Sequence, residues 1–390
     1  MAYLAEELSI NFYLWERRGR GWDVWDFPVA LEPPFEPFYF HSLPTSVSTS
    51  VYDDGRKPTF LSEIADGFKK LLQGPAESQG TLLLPESTDE LLPVPFEGES
   101  EIKEIRITVP SDEKVISEYA EQLLLNLAGG TQPLSYEIVG TKASVSSRFT
   151  CRESDLPQVM QQLRAYFPDA VCEVEGNTIR ELIDPDRSSV VVDFGLSEEF
   201  MRPIRTFGSL DPDPLIGIVG AMENLQEGET GLVQVLFQSA NNPWSESMIR
   251  SVMSNDGDSF FEDSPEMLPL AREKVGSPLF VAVVRVMAQS SSEKRSWEIA
   301  RSLGSTLAVL ADPQSNELIP LNNDDYGDDV HLEDVVYRRT HRSGMILNSR
   351  ELLNLVHLPS VSVRSAKFRG ALRKTKAPPK SSEGHRFVLG

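Results

Sequence analysis

Three acids crowd the stretch "PDAVCEVE": Asp169, Glu173 and Glu175 stand near enough in sequence to share a divalent cation, as a metal-dependent nuclease would require. A PD-(D/E)xK site also needs a lysine just beyond the last acid, and none follows, so a helix running out into a strand accounts for the same residues. The loops "NDGDSFFED" and "NNDDYGDD" are acidic enough to suggest calcium. Neither sets Asp or Asn at positions 1, 3 and 5 ahead of Gly at 6 and Glu at 12, and both read as solvated loops. No GxxxxGK[ST] run offers a ring of backbone N–H groups to phosphate, and no GxSxG turn presents a nucleophile. His41, His331, His341, His357 and His385 are scattered, with no obvious Ser or Cys partner. Cys151 and Cys172 lack the CxxC spacing of a zinc site and read as reduced core thiols. The motifs therefore assign no catalytic, cofactor-binding or metal-ligating residue, and no cofactor is expected.

Charge is distributed more informatively than its sum of −22. Residues 361–390 hold eight cations, Arg364, Lys367, Arg369, Arg373, Lys374, Lys376, Lys380 and Arg386, against the acid Glu383, which leaves −29 on the rest. A body so acidic does not coat DNA, because neutralising phosphates takes a basic face. The tail itself has two readings, a basic arm toward DNA or a solvated linker. No run of 18 apolar residues and no secretory leader is present, so the expected compartment is the cytoplasm, without a membrane span.

The elements that must position these residues begin irregularly. Residues 1–100 read as an extended, proline- and aromatic-rich segment followed by an acidic linker. Pro33, Pro34 and Pro37 exclude regular helix, and Trp15, Trp22 and Trp25 look like anchors onto a later domain. Arg17, Arg18 and Arg20 beside them could stack on single-stranded nucleic acid, but four neighbouring acids favour cation–ring packing inside the fold.

From residue 101 the periodicities are regular. "EIRITV" alternates Ile105, Ile107 and Val109 inward. "SEYAEQLLLNLAGG" places Ile116, Tyr119, Leu123 and Leu127 at helical spacing. "LSYEIVGTKASVSSRFTC" reads as a hairpin with Ala143, Val145, Ser147 and Phe149 on one face. A helix capped by Asp155 and the strand "AVCEVEG" complete the order βαββαβ, a ferredoxin-like unit over 101–180. A second pass over 200–345 repeats the order. It comprises the strand "RPIRTF", a helix opened by Asp213 and Pro214, the strands "TGLVQVLFQSA" and "SPLFVAVVRVMAQ", the helix "SEKRSWEIARSLGSTLAVL" and the strand "ELIPL". An insertion at about 241–277 interrupts it and carries Trp244, a candidate partner contact or core anchor. The fold class is thus α+β, with two tandem ferredoxin-like domains.

Residues 346–390 add a short strand, a helix capped by Asn348 or Ser349, and the basic linker. The segment "LNSRELLNLVHLPS", the proline-bearing linker and the final "LG" resemble the region just before the Walker A domain of conjugative, type IV secretion-like DNA-transfer ATPases, the HerA/FtsK-type motors of mobile elements. "EIRITVPSDEKVISEYAEQLLLNLAGG" and the residues to Ala170 are similar to that family's first accessory domain, and "SPLFVAVVRVMAQSSSEKRSWEIARSLGSTLAVL" to its second. The likeness spans about 101–390 and lacks the ATPase itself. It implies a non-catalytic docking or recruitment region within a larger oligomer, partnered by a P-loop ATPase in cis or in trans, with DNA reached through the basic tail. Leu352, Leu355, Val356 and Leu358 would then form an apolar latch toward the motor, or else only cap the second domain. A metal-dependent nuclease and a free-standing interaction scaffold stand as alternatives.

Overall fold

The computed structural model describes residues 101–368, except 111–114, 128–132, 209–211, 241–244, 246–247, 250–251, 255, 262–263, 324–329, 341–343, 364 and 366, together with the backbone of Tyr39–Phe40. Strand β1, Tyr39–Phe40, pairs in parallel with β10, Arg339–Thr340. All other described strands join one antiparallel sheet of nine, and the fold is mixed α+β.

The first half runs β2 (Ile102–Thr108), α1 (Ser117–Leu127), β3 (Leu134–Thr141), β4 (Val145–Arg152), α2 (Leu156–Tyr166) and β5 (Val171–Glu175), followed by the short α3 (Thr178–Leu182). The second half runs β6 (Ser188–Leu196), α4 (Leu215–Met222), β7 (Thr230–Ser239), α5 (Met267–Val275), β8 (Leu279–Ser290), α6 (Glu293–Ser305) and β9 (Leu318–Pro320). It closes with α7 (Val330–Tyr337), β10, β11 (Met345–Asn348) and α8 (Ser349–Leu353). Across the sheet the order is β5-β2-β4-β3-β7-β8-β6-β9, and β11 extends the sheet on β8 where β6 stops. Each half thus sets its four strands in the same spatial sequence, fourth-first-third-second.

The halves are joined strand to strand. β3 and β7 pair from Leu134↔Phe237 to Thr141↔Thr230. Within that joint Gly140 faces Gly231, and their missing side chains let the helices sit close. A Cβ on Gly140 would lie 2.7–2.8 Å from the Met222 side chain of α4. One face of the sheet carries Ile105, Ile107, Tyr136, Ile138, Phe149, Val233, Val235, Val284 and Val286, all buried in one continuous cluster with the helices. Burying each such side chain contributes about 1.5–3 kcal/mol.

Several sequence expectations shift. α1 buries Ala120, Leu123, Leu124 and Leu127, while Ile116 and Tyr119 are exposed; the helix packs on both α2 and α8, which rotates its apolar stripe. Ala143 lies exposed in the turn before β4, whereas Val145, Ser147 and Phe149 are buried as expected. Asp155 occupies the N-cap of α2 without a side-chain capping bond. "RPIRTF" is not a strand. Pro203 brings no N–H, Ile204 N–H donates to Glu351, and the Arg205 carbonyl accepts from Asn354, so side chains take the bonds a sheet would use. β6, "SSVVVDFGL", stands in its place, and the second run of elements opens at Ser188 rather than at 200.

Candidate functional site

The segment "LNSRELLNLVHLPS" folds as an anchor, and its polar residues recur at every third position. Asn348 caps α8 by accepting from Glu351 N–H at 2.9 Å, while the Glu351 carboxylate accepts from Asn348 N–H at 2.7 Å, a complete capping box. Asn348 Nδ2 also donates to the Lys274 carbonyl at 3.2 Å. Glu351 further takes the Lys274 ammonium at 2.8 Å and Ile204 N–H at 2.7 Å, and neither charged side chain is exposed. Asn354 donates to Arg205 O at 2.9 Å. His357 places Nε2 2.9 Å from Asp213 and Nδ1 2.7 Å from Leu353 O. Four polar side chains thus clasp this segment to α4, α5 and the 204–205 loop.

Between them lie the residues of the expected latch. Leu352, Leu355, Val356 and Leu358 are at most 3% exposed and belong to the chain's own main core. In this structure they pack inside the fold and not on its surface. Trp244 lies outside the described residues, as do Arg364, Arg369, Arg373, Lys374, Lys376, Lys380 and Arg386. Of the eight tail cations Lys367 is described: its ammonium reaches the carbonyls of Met222 and Leu225 at the end of α4, at 3.5 and 3.4 Å, where a cation complements the helix dipole.

A second constellation lies on the sheet face opposite the main core. Strand register sets Glu173, Arg106, Arg148, Glu137, Gln234, Arg285 and Asp193 side by side from β5 to β6. Glu104, one step along β2, and Arg338, just after α7, complete it. Arg338 donates to Glu104 at 2.5 Å, to Glu137 at 2.8 and 3.0 Å, to Asn177 at 2.6 Å and to Val336 O at 2.9 Å. Arg148 meets Glu104 at 2.5 Å and also bonds Thr178. Gln234 donates to Glu137 at 3.0 Å, and Ser135 does so at 2.9 Å. Farther along, Arg285 pairs with Asp193 at 3.3 Å and donates to Arg339 O at 3.0 Å. His331 of α7 approaches the other Asp193 oxygen at 3.2 Å.

Electrostatics in this row follow from mutual neutralisation. Burial pushes the Glu137 carboxyl up, but Arg338, Arg148 and Gln234 outweigh it and hold it below the usual carboxylate range. Burial likewise works against the Arg338 charge, and Glu137 with Glu104 holds its pKa above the ordinary value. Arg338 sits at φ 51°, a left-handed backbone that a non-glycine residue adopts at some cost. Its four partners fix it there. The row thus pins α3 and α7 onto the second face, where a small apolar cluster of Val139, Ile179, Val191, Leu232, Met287 and Val335 completes the contact.

This row escapes a linear reading because its members meet through register. Its trace in sequence is a charged or amide side chain within each of six strands: Arg106, Glu137, Arg148, Asp193, Gln234 and Arg285. The acids weighed for metal chemistry are placed differently. Asp169 is exposed in a turn, while Glu173 and Glu175 pair with Arg106 at 2.5 and 3.0 Å. Among the described residues no group of three or more His, Cys, Asp or Glu could hold a metal ion. Both cysteines are free thiols, Cys151 buried and Cys172 half-buried. No described helix is long and apolar enough to cross a membrane. Neither protein-family models nor curated proteins yield a match to this chain.

Proposed function

We propose that this chain is a non-catalytic accessory region of a DNA-transfer ATPase of the conjugative, HerA/FtsK-type class, built from two tandem ferredoxin-like units fused edge to edge. It works with a P-loop motor in cis or in trans within a larger cytoplasmic oligomer. The observation that carries the reading is the clasp. In the segment on which the resemblance is strongest, Asn348, Glu351, Asn354 and His357 are all spent on holding the chain to its own fold. Such an anchor fixes the point from which the basic tail leads to a motor or to DNA. Two further observations support the reading. The fourth-first-third-second strand order recurs in both halves, the first with the element order βαββαβ and the second with α5 added between β7 and β8, and the buried charges neutralise one another, which suits a scaffold.

The test is purification of the chain from its native cells under mild cross-linking, with mass spectrometry of associated polypeptides and an immunoblot against residues 101–330 to size their carrier. A P-loop ATPase bound in fixed proportion, or joined to these domains in one polypeptide, supports the reading. A carrier of 43.5 kDa with no ATPase attached overturns it and leaves the free-standing scaffold.

A further inference from the structure

Between β7 and α5 the chain makes a small hairpin that neither the clasp nor the charge row uses. Phe260 N–H donates to Val252 O at 2.9 Å, Met253 bridges Ser259, and Ser254 N–H donates to Asp258 O at 2.8 Å. The base of the hairpin is fixed, because Val252 is buried and Met253 and Phe261 pack against the main core. The tip is open. Asp256, Gly257 and Asp258 are exposed there, and a Cβ on Gly257 would meet no atom within 4 Å.

An aspartate followed by glycine can react with its own backbone. The peptide nitrogen of the next residue attacks the side-chain carboxyl carbon, and the five-membered ring that forms needs room on the residue supplying the nitrogen. Glycine gives that room, having no Cβ to strike the ring. Gly257 also sits at φ 88°, a left-handed backbone that glycine enters and leaves freely.

A single backbone bond restrains the nitrogen, from Gly257 N–H to Ser254 O at 3.0 Å. At an exposed tip such a bond has a small net worth, since water replaces it. The tip therefore opens locally while Val252 and Phe261 stay packed, and the reacting arrangement is reached without global unfolding. Asp258 in the same hairpin is placed differently. The residue after it, Ser259, carries a Cβ, lies opposite Met253 and donates its hydroxyl to Phe261 O at 3.3 Å.

We propose that Asp256–Gly257 is a modification site at which the folded protein forms isoaspartate spontaneously. The Gly257 nitrogen bonds to Asp256 Cγ, and the amide proton leaves with the hydroxyl of the carboxyl group as water, giving a succinimide. Water then adds to one of the two ring carbonyls. Opening at Cγ restores aspartate, whereas opening at the main-chain carbonyl routes the peptide through Cγ and frees the α-carboxyl group. Composition and charge are unchanged, and no oxidant, reductant or cofactor enters. The backbone gains one methylene at the tip, so the Ser254–Asp258 bond loses its register. The site stands whether or not a motor partner exists.

The test incubates the full chain at neutral pH in water enriched in heavy oxygen, folded in one sample and unfolded in urea in another. The tryptic peptide 251–272 is then sequenced by electron-transfer mass spectrometry. An isoaspartyl methyltransferase with labelled S-adenosylmethionine serves as a second probe. Isoaspartate at position 256, each product carrying one heavy oxygen, should accumulate in the folded chain within about tenfold of the unfolded rate, the cost of opening one hydrogen bond. Asp258 should stay unmodified in the folded chain. Asp256→Glu, which would need a six-membered ring, should remove the methyl label from this peptide. A folded chain that forms no isoaspartate at Asp256, or forms it more than about a hundredfold more slowly than the unfolded chain, overturns the proposal. So does a label that persists on this peptide in Asp256→Glu.

Discussion

Replacing Arg338 with methionine should destabilise the protein by about 3–5 kcal/mol, the cost of breaking a buried ion pair from one side. The structure identifies which carboxylate is stranded. Glu104 keeps Arg148 at 2.5 Å, whereas Glu137 is left with the neutral donors Ser135 and Gln234 at 2.9 and 3.0 Å. The left-handed backbone contributes little to the difference, since methionine and arginine tolerate it equally poorly. With a urea slope of about 3 kcal/mol/M for a chain of this size, the midpoint should drop by roughly 1–1.7 M. The pH dependence distinguishes this mechanism from simple loss of packing. In the native protein the Glu137 pKa is lowered, so its contribution is present above about 4.3, the unfolded value, and is lost as pH falls through the folded one. In the variant burial of Glu137 is opposed only by the charge of Arg148 and by neutral donors, so the folded pKa rises and the stability gained above about 4.3 shrinks. The gap between the two proteins should therefore narrow toward about pH 4. Adding Glu137→Gln to the variant should recover most of the loss at pH 7, since the stranded charge is gone. A gap under about 1 kcal/mol at neutral pH, or one of equal size in acid, would refute the assignment.

Other perturbations test the clasp, the joint and the thiols. Glu351→Ala strands the buried Lys274 ammonium and uncaps α8, so thermal melts should show a loss of about 3–5 kcal/mol, against about 1–2 for Asn348→Ala. Gly140→Ala drives a methyl into Met222 and should cost about 1–3 kcal/mol by chemical denaturation; Gly140→Ala with Met222→Ala should cost less than the two separate losses added together. With Ellman's reagent on the native protein, half-buried Cys172 should react first. Cys151, whose thiol burial and then Asp155 push up to about 12, should wait for unfolding.

Period alone revealed the elements whose packing is local. The β3–β4 hairpin, the helix after Asp213 and Pro214, and the long strand β8 were all read from the local pattern. β6 was hidden because Asp193 interrupts its apolar run, and that residue makes sense only opposite Arg285. The α1 stripe could not be placed without knowing that α8, more than 200 residues later, packs beside it. In the clasp the cap at Asn348 was legible from the local pattern. The roles of Glu351, Asn354 and His357 were not, since Lys274, Arg205 and Asp213 lie far off in sequence. The charge row likewise depends on long-range register, and spacing within one strand carries no information about its neighbours.

The joint between β3 and β7 also has a mechanical meaning. A flexible connector would let two halves swing, but here they share a ladder from Leu134↔Phe237 to Thr141↔Thr230. A pull along the strand direction loads all of its hydrogen bonds in shear together, and none can open before the others. Tension entering at the clasp beside β8 would reach β5 through five successive strand junctions with no hinge among them. The two halves behave as one stiff lever, able to pass on displacement without absorbing it.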